Sequence, residues 1–189
     1  MPTSPRDTER DADLLDALVA RARDGDQAAL EELLARIRPM VLGRCRRFLP
    51  YPEDAEEAAQ DALLTIATKL DQFTGRGSFR GWVVVVTSNA ARGTYRSLRR
   101  RAGERTADLL PEQPDPRTTS VIAGTRLDLL DALEELEGRS PTVVEPFVLR
   151  DLGGLTYDEI AAATGAPMSA VKDRIHRART QLRGMLGDR

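Results

Sequence analysis

A proline-rich segment interrupts the chain and limits what it can fold into. Between Thr106 and Gly124 stand Pro111, Pro114 and Pro116 together with a Thr-Thr-Ser run, and the segment has no apolar periodicity. Proline lacks the backbone N–H that a helix needs and stiffens an extended chain. About 105 residues precede this segment and about 65 follow it. The sequence therefore predicts two small domains joined by a flexible linker, each near the lower size limit for independent stability.

Apolar residues on both sides of the linker recur at helical spacing. Aromatic residues make up only 4% of the 189 residues, which favours packed helices over a sandwich or a barrel. The four valines from Val83 to Val86 have strand propensity, but a lone short strand would have nothing to pair with, so they are predicted as helix. The predicted fold is all-α, with two small helical bundles. The predicted helices span residues 11–24, 26–49, 53–70 and 79–101 before the linker, and 125–137, 140–149, 156–164 and 169–186 after it.

Composition excludes several classes of site. A single cysteine, Cys45, excludes an internal disulfide and a cysteine metal site, and a single histidine, His176, excludes a multi-histidine zinc site. We find no catalytic constellation and predict no enzyme, no cofactor, no metal and no small-molecule substrate. The polar N-terminus is unlike a signal peptide and no apolar run is long enough for membrane insertion, so a cytoplasmic protein is expected.

The net charge of −2 conceals two basic clusters. Residues 92–105 contain six arginines against one acid, Glu104, and residues 172–183 contain five basic residues against one acid, Asp173. Such clusters indicate either two contact surfaces for a polyanion or two solvated helix faces. Charge alone leaves both interpretations open.

Residues 156–171 have the spacing of a helix–turn–helix motif. Ala161 is small enough for two helices to cross closely, and Gly165, four residues later, can adopt the left-handed conformation of a tight turn. Val171 would pack the second helix back onto the first. That helix would then present Lys172, Arg174, Arg177 and Arg179, as a recognition helix does. The alternative is an ordinary helical hairpin with a basic face.

These residues resemble a known family. Residues 155–161 and 171–179 resemble region 4 of bacterial sigma factors, and among these the extracytoplasmic-function group of the sigma-70 family. Residues 54–64 are similar to region 2.2, and residues 73–82, Asn89 and residues 96–101 are similar to regions 2.3 and 2.4. The resemblance covers residues 14–187 in the expected order, on both sides of the linker.

The resemblance implies a domain organisation and a function. It implies a flexible N-terminus over 1–13, a four-helix sigma-2 domain over 14–105, the linker over 106–124 and a sigma-4 helix–turn–helix domain over 125–187, with no length left for region 1.1 or a full region 3. Such a factor binds core RNA polymerase, directs it to promoters and promotes transcription initiation by −10 base capture and −35 recognition. The implied partners are core RNA polymerase (its β′ clamp helices and β flap), promoter DNA and an anti-sigma factor.

The resemblance also assigns residues to three surfaces. Phe73 and Asn89 would form a pocket for one flipped base, although Phe73 could equally close the third helix onto its bundle and Asn89 could be an ordinary surface residue. The residues assigned to core polymerase are Asp54, Glu57, Gln60 and Asp61; those assigned to the −10 region are Phe73, Asn89, Arg92, Arg96, Arg99 and Arg100; and those assigned to the −35 region are Ser169, Lys172, Asp173, Arg174 and Arg177.

The sequence departs from the family pattern in two places. Residues 85–87, Val-Val-Thr, replace an Arg-Ile-Ala that often precedes the asparagine, and Asp173 stands where a small hydroxyl residue is common. The −10 and −35 sequences therefore cannot be carried over from relatives. Two rival functions remain open at this point: a free-standing helix–turn–helix regulator and a sigma-like protein-interaction module. The linker acids Asp108, Glu112 and Asp115 could mimic RNA or simply aid solubility.

Overall fold

The computed structural model describes the backbone of residues 5–75, 77–106 and 121–187, and the side chains of residues 13–75, 77–101 and 128–186. A 3-10 turn, Leu70–Gln72, follows the third helix, and a π-helical turn, Val148–Leu152, follows the sixth. Within the described ranges every regular element is helical, which confirms the all-α prediction. The helices are α1 (Pro5–Arg23), α2 (Gln27–Phe48), α3 (Pro52–Thr68), α4 (Phe79–Thr106), α5 (Val121–Arg139), α6 (Pro141–Phe147), α7 (Tyr157–Thr164) and α8 (Met168–Gly187).

Two helices begin earlier than predicted. Helix α1 starts at Pro5 instead of residue 11, within the segment expected to be flexible, and α5 starts at Val121 instead of residue 125, within the expected linker. The residues added to α1 include Arg6, Glu9 and Arg10, whose residue types favour helix, whereas those added to α5 are the uncharged Val-Ile-Ala-Gly of 121–124, which the prediction had assigned to the linker. Residues 107–120, which include the three linker acids, lie outside the described residues. The valine run is helical as predicted, with Val83 and Val84 buried.

Helices α1 to α4 form the first bundle. Helix α2 buries Leu33, Ile37 and Val41 at helical spacing, and α3 packs against it through Ala58 and Ala62. Because alanine side chains are small, they let two helix backbones approach closely. The predicted break and cap between α1 and α2 is present: a carboxylate oxygen of Asp26 accepts a hydrogen bond from the Ala29 N–H at 3.0 Å.

Helices α5 to α8 form the second bundle, which contains the predicted helix–turn–helix. A capping box begins α7: the Thr156 hydroxyl accepts from the Glu159 N–H, and the Glu159 carboxylate accepts from the Thr156 N–H. Gly165 ends the helix in the left-handed conformation, with φ of 66°. Val171 of α8 is fully buried against Ile160 of α7. The roles predicted from spacing for Gly165 and Val171 are therefore confirmed.

The two bundles pack against each other, which the sequence analysis did not predict. Val84 of α4 is buried in one cluster with Leu149 and Ile160 of the second bundle. The guanidinium of Arg44 in α2 is buried and donates to the backbone carbonyls of Leu152 (3.2 Å) and Gly153 (2.8 Å). Apolar packing and a buried polar contact thus hold a closed arrangement of the two bundles.

Candidate nucleic-acid interface

Helix α8 has one apolar face and one basic face. Val171, Ile175 and Ala178 are buried at helical spacing and attach the helix to its bundle. The predicted −35 residues lie on the other side. Ser169, Lys172, Asp173 and Arg177 are exposed and Arg174 is half-buried. An exposed basic helix face following a tight turn has the geometry with which a recognition helix enters the major groove.

Two acids modify the charge of α8. Asp173 lies 3.7 Å from Arg177, one turn along the same helix, and so offsets part of its charge. Arg179 forms a two-pronged pair with Asp151 in the π-helical turn, at 2.8 and 2.6 Å, and the hydrogen bond to Asp151 raises the pKa of the guanidinium. Sequence reasoning counted Arg179 among the residues presented by the helix. The structure instead ties it to the body of the second bundle.

Tyr157 is a site residue that sequence reasoning missed. Two cations lie close to its ring: the Arg150 guanidinium is 4.7 Å from the ring centroid and the Lys172 ammonium is 5.7 Å from it. Arg150 also donates to the Leu155 carbonyl at 2.7 Å, which fixes its position. The three residues come from different elements, so no local spacing in the sequence signals their contact.

Arginines of α4 meet carboxylates of α5. We call Arg92, Arg96 and Arg99 the arginine face, and Asp131, Glu134 and Glu137 the acidic face. Arg99 Nη1 lies 2.6 Å from Glu134 Oε2 and 3.3 Å from Asp131 Oδ1. The hydrogen bond with Glu134 raises the pKa of Arg99.

The rest of this contact centres on Glu137 and Asp131. Arg92 donates to Glu137 with a side chain that is only 11% exposed, and Arg96 Nη1 lies 3.3 Å from the same Glu137 oxygen. The Tyr95 hydroxyl donates to Asp131 at 2.6 Å, and its pKa is raised by burial and by this hydrogen bond. Arg100 is exposed and borders the cleft beside these pairs. Four predicted DNA-binding arginines thus share one side of α4, and three of them are ion-paired within the chain.

Phe73 belongs to an aromatic cluster. Its ring centroid lies 5.5 Å from that of Phe79 and 5.8 Å from that of Trp82, and Phe73 is 8% exposed. The ring therefore closes the end of α3 onto α4, which was one of the two roles considered for it. The loop that follows turns through Gly75 and Gly77, both with positive φ, where an L side chain would be strained.

A cleft of about 370 Å³ opens beside this loop. Its walls include Phe73, Trp82 and Val85 from the first bundle, and Glu159 and Ala162 from α7. Asn89 is exposed and follows Trp82 by two helical turns, a rise of about 10 Å along α4. The residues described as lining the cleft do not include Asn89. In the closed arrangement this cleft therefore does not join Phe73 to Asn89.

The predicted polymerase-binding residues lie along α3. Glu57, Gln60 and Asp61 are exposed, and Leu64 continues the same face with 64% exposure. Asp54 is half-buried, and burial together with the nearby charge of Glu57 raises its pKa. Sequence reasoning omitted Leu64, although its spacing of seven residues from Glu57 places it on the same face. An acidic face with an exposed leucine at its end suits a protein partner more than DNA.

Two further properties concern the described part of the chain. Its His, Cys, Asp and Glu side chains include no group of three that could hold a metal ion. None of its helices combines the length and apolar character that a membrane span requires.

Comparison with known proteins now identifies the family. Residues 33–101 match Sigma-70 region 2 and residues 126–182 match Sigma-70, region 4. The chain is 33% identical over 172 residues to the RNA polymerase sigma factor CarQ of Myxococcus xanthus, covering 89% of this chain and 95% of CarQ. It is 30% identical over 178 residues to the extracytoplasmic-function (ECF) sigma factor SigD of Mycobacterium tuberculosis, covering 89% and 82%. It is 28% identical over 173 residues to the sigma-E factor of Escherichia coli, covering 86% and 88%.

A solved structure shares the fold. The structure of CnrH in complex with the cytosolic domain of CnrY aligns with a TM-score of 0.58 at 24% identity, covering 93% of this chain and 98% of that one. The chain belongs to the sigma-70 family of RNA polymerase sigma factors, in its ECF group. It is therefore a transcription initiation factor. Because region 2 matches the first bundle, the rival interpretation as a free-standing regulator is set aside.

Proposed function

We propose that the chain recruits core RNA polymerase to a specific class of promoters through three separate surfaces. The face of α3 that carries Glu57, Gln60 and Asp61 would bind the β′ clamp helices. The arginine face of α4, with the loop after Phe73, would hold the −10 region, and α8 would contact the −35 region. The observation that carries this proposal is the exposure of both the acidic α3 face and the basic α8 face.

The proposed −10 contact combines phosphate binding with base capture. Arg92, Arg96, Arg99 and Arg100 would neutralise phosphates of the melted strand. Phe73 and Asn89 would enclose one extruded base, because an apolar wall and an amide edge together suit a flipped nucleotide. Since Asn89 lies outside the cleft beside Phe73 in the closed arrangement, the pocket would have to include surface that α7 now covers.

The proposed −35 contact depends on Lys172, Arg174 and Arg177. A lysine or arginine can donate to guanine O6 and N7 in the major groove, and an aspartate can accept from a cytosine amine. Asp173 would thus favour a cytosine at one position of the −35 element, and its negative charge would be repelled by the DNA phosphates. Ser169, at the start of the helix, would contact phosphate or a base edge.

Two further partners follow from family membership. The second bundle would contact the β flap of the polymerase. CnrH was solved with the cytosolic domain of CnrY, and other ECF relatives are named only as sigma factors. By analogy we propose that an anti-sigma factor regulates this chain. Since core polymerase works in the cytoplasm, the proposed function places the chain there.

Co-purification with core polymerase tests the α3 surface. Glu57→Lys combined with Asp61→Lys reverses two exposed charges on the proposed docking face, and we expect it to abolish co-purification while leaving the helical circular dichroism unchanged. Asp16→Lys combined with Glu31→Lys makes the same change of net charge at exposed acids of α1 and α2, and should co-purify normally. Normal co-purification of the first variant would refute the assignment of this face.

A further inference from the structure

The arginine face has two competing occupants. In the closed arrangement its guanidinium nitrogens lie 2.5–3.3 Å from carboxylate oxygens of the acidic face of α5. A carboxylate and a phosphate oxygen are the same kind of partner for a guanidinium, so they compete for the same N–H donors. The proposed function assigns these donors to −10 DNA. One occupant must leave before the other binds.

We propose that α5 acts as an internal substitute for DNA phosphate, so that the free chain occludes its own −10 surface. The inference rests on the proposed function, because that function assigns the arginine face to DNA. In the free chain the acidic face stays bound to the arginine face. Contact with −10 DNA then requires the two bundles to separate.

A second contact covers the other half of the −10 surface. The Ser78 hydroxyl donates to Glu159 Oε1 at 2.9 Å, joining the loop after Phe73 to α7. A Cβ atom on Gly77 would lie 3.3 Å from the Ala162 side chain, so the loop and the helix are in close contact. The hydrogen bonds from Ser78 and Thr156 outweigh burial and lower the pKa of Glu159, which keeps this carboxylate charged as an acceptor. The second bundle thus contacts both the arginine face and the loop beside the proposed base pocket.

The other two surfaces stay accessible in the closed arrangement. Glu57, Gln60 and Asp61 are exposed on α3, and Lys172 and Arg177 are exposed on α8. Polymerase can therefore dock on α3 while the −10 surface is still covered. In the closed arrangement, −10 DNA binds only after the two bundles have separated, whereas −35 DNA can bind before they separate.

The charge contacts that hold this state are reversible. Arg96 and Arg99 are each about half exposed (52%), and exposed ion pairs are individually weak and screened by salt. A partner that separates the bundles has to break these pairs, the more buried Arg92–Glu137 pair, the Arg44 hydrogen bonds and the apolar contact around Val84. We expect rising ionic strength to shift the free chain toward the open arrangement.

A charge-reversal pair tests the proposal. Glu134→Lys combined with Glu137→Lys (the Lys pair) replaces attraction between the two faces with repulsion. Glu134→Gln combined with Glu137→Gln (the Gln pair) removes the two negative charges without adding repulsion. The control is Glu135→Lys combined with Glu145→Lys, which makes the same change of net charge. In the wild type Glu135 pairs with Arg139 within α5, and Glu145 is exposed on α6. Circular dichroism melting establishes that each variant is folded.

Two measurements on the free, full-length chain follow. Energy transfer between dyes on Gly43→Cys and Gly184→Cys reports the separation of the bundles, since a Cβ at either glycine meets nothing within 4 Å. Cys45 is buried and its thiol pKa is raised to about 11, so it does not compete for the dyes at neutral pH. Affinity is measured for a labelled single-stranded DNA of mixed sequence, as a phosphate probe, and for a mixed-sequence duplex.

We expect the Lys pair to lower energy transfer and to bind the single strand about tenfold more tightly than the wild type, with a smaller gain for the Gln pair. The control pair should match the wild type in energy transfer, and its affinity should rise by the same factor for the single-stranded and the duplex DNA. Unchanged energy transfer in the Lys pair, or a gain for the single strand no larger than that of the control, would overturn self-occlusion.

A third measurement separates this inference from the proposed function. In the holoenzyme, Arg99→Ala should impair promoter opening, read by permanganate reactivity of unpaired thymines. If opening is impaired but the Lys pair behaves like the control, only self-occlusion fails. If Arg99→Ala opens promoters normally, the assignment of the arginine face to DNA fails, and self-occlusion of a −10 surface fails with it.

Discussion

Gly153 shows how one residue can determine the join between two bundles. A Cβ atom at this position would lie 2.2 Å from the Leu149 carbonyl oxygen, because the chain folds tightly back at the end of the π-helical turn. The same residue offers its own carbonyl to the buried Arg44 guanidinium of the first bundle. The tight turn therefore requires a residue without a side chain, and the carbonyl group of that same residue makes the contact between the bundles.

Replacing Gly153 should destabilise the protein. We expect Gly153→Ala to lower the free energy of unfolding by about 1–3 kcal/mol, since backbone must move to admit the methyl group. Gly184→Ala is the matched control, because a Cβ there meets nothing within 4 Å, and in a helix it should stabilise by up to about 1 kcal/mol. Urea denaturation compares the two. Equal stability of Gly153→Ala and wild type would show that the turn relaxes without cost.

Some site residues could be predicted one by one and others could not. Gly165 and Val171 follow from the spacing of a helix–turn–helix, because the turn needs a left-handed residue and the second helix needs an apolar anchor. Tyr157 and Arg44 act through residues distant in sequence, so no spacing pattern reveals them. The distinct roles of Arg177, which is exposed, and Arg179, which pairs with Asp151, also depend on where the π-helical turn lies.

Helices α7 and α8 act together as the proposed reading element. The capping box and Gly165 fix both ends of α7, and the buried face of α8 sets which side is presented. Tyr157 connects the two helices on the outer side, where its ring lies 5.7 Å from the Lys172 ammonium. The Tyr157 ring therefore orients the side chain of Lys172, which is one of the proposed DNA contacts.

Removing the ring of Tyr157 should weaken −35 binding. We expect Tyr157→Leu to reduce holoenzyme affinity for promoter duplex about two- to fivefold, because a cation–π contact at an exposed site is worth roughly 0.5–1 kcal/mol. Tyr157→Phe keeps the ring and should bind like the wild type. Salt-dependent fluorescence anisotropy makes the comparison. If both variants bind equally, the ring does not position Lys172.

The apolar periodicity of the sequence predicted most of the secondary-structure elements correctly. All eight helices were predicted in type and order, since each buries an apolar stripe against neighbours in its own bundle. The π-helical turn was not predicted, because Pro146 inside α6 and the glycines after the turn do not fix its register from sequence alone. The start of α1 was misjudged because charged residues extend the helix beyond its apolar stripe, and the start of α5 was misjudged because residues 121–124, Val-Ile-Ala-Gly, were assigned to the linker.

The arrangement of the whole molecule could not be predicted from the sequence. The linker indicated two separate bundles, but their packing depends on Val84, Arg44 and the meeting of the arginine and acidic faces. The family resemblance assigned these arginines to the −10 region, and no pattern in the sequence linked them to the acids of α5. Only the tertiary structure brings the two sets together.

Transcription by core RNA polymerase tests the central claim most directly. Purified core enzyme from the encoding bacterium would transcribe its genomic DNA with and without this chain, and the 5′ ends of the RNA would be mapped. We expect a set of new start sites that share one −10 and one −35 sequence, and that disappear with the Glu57→Lys, Asp61→Lys variant but persist with the Asp16→Lys, Glu31→Lys control. The same 5′ ends with and without the chain would contradict the account.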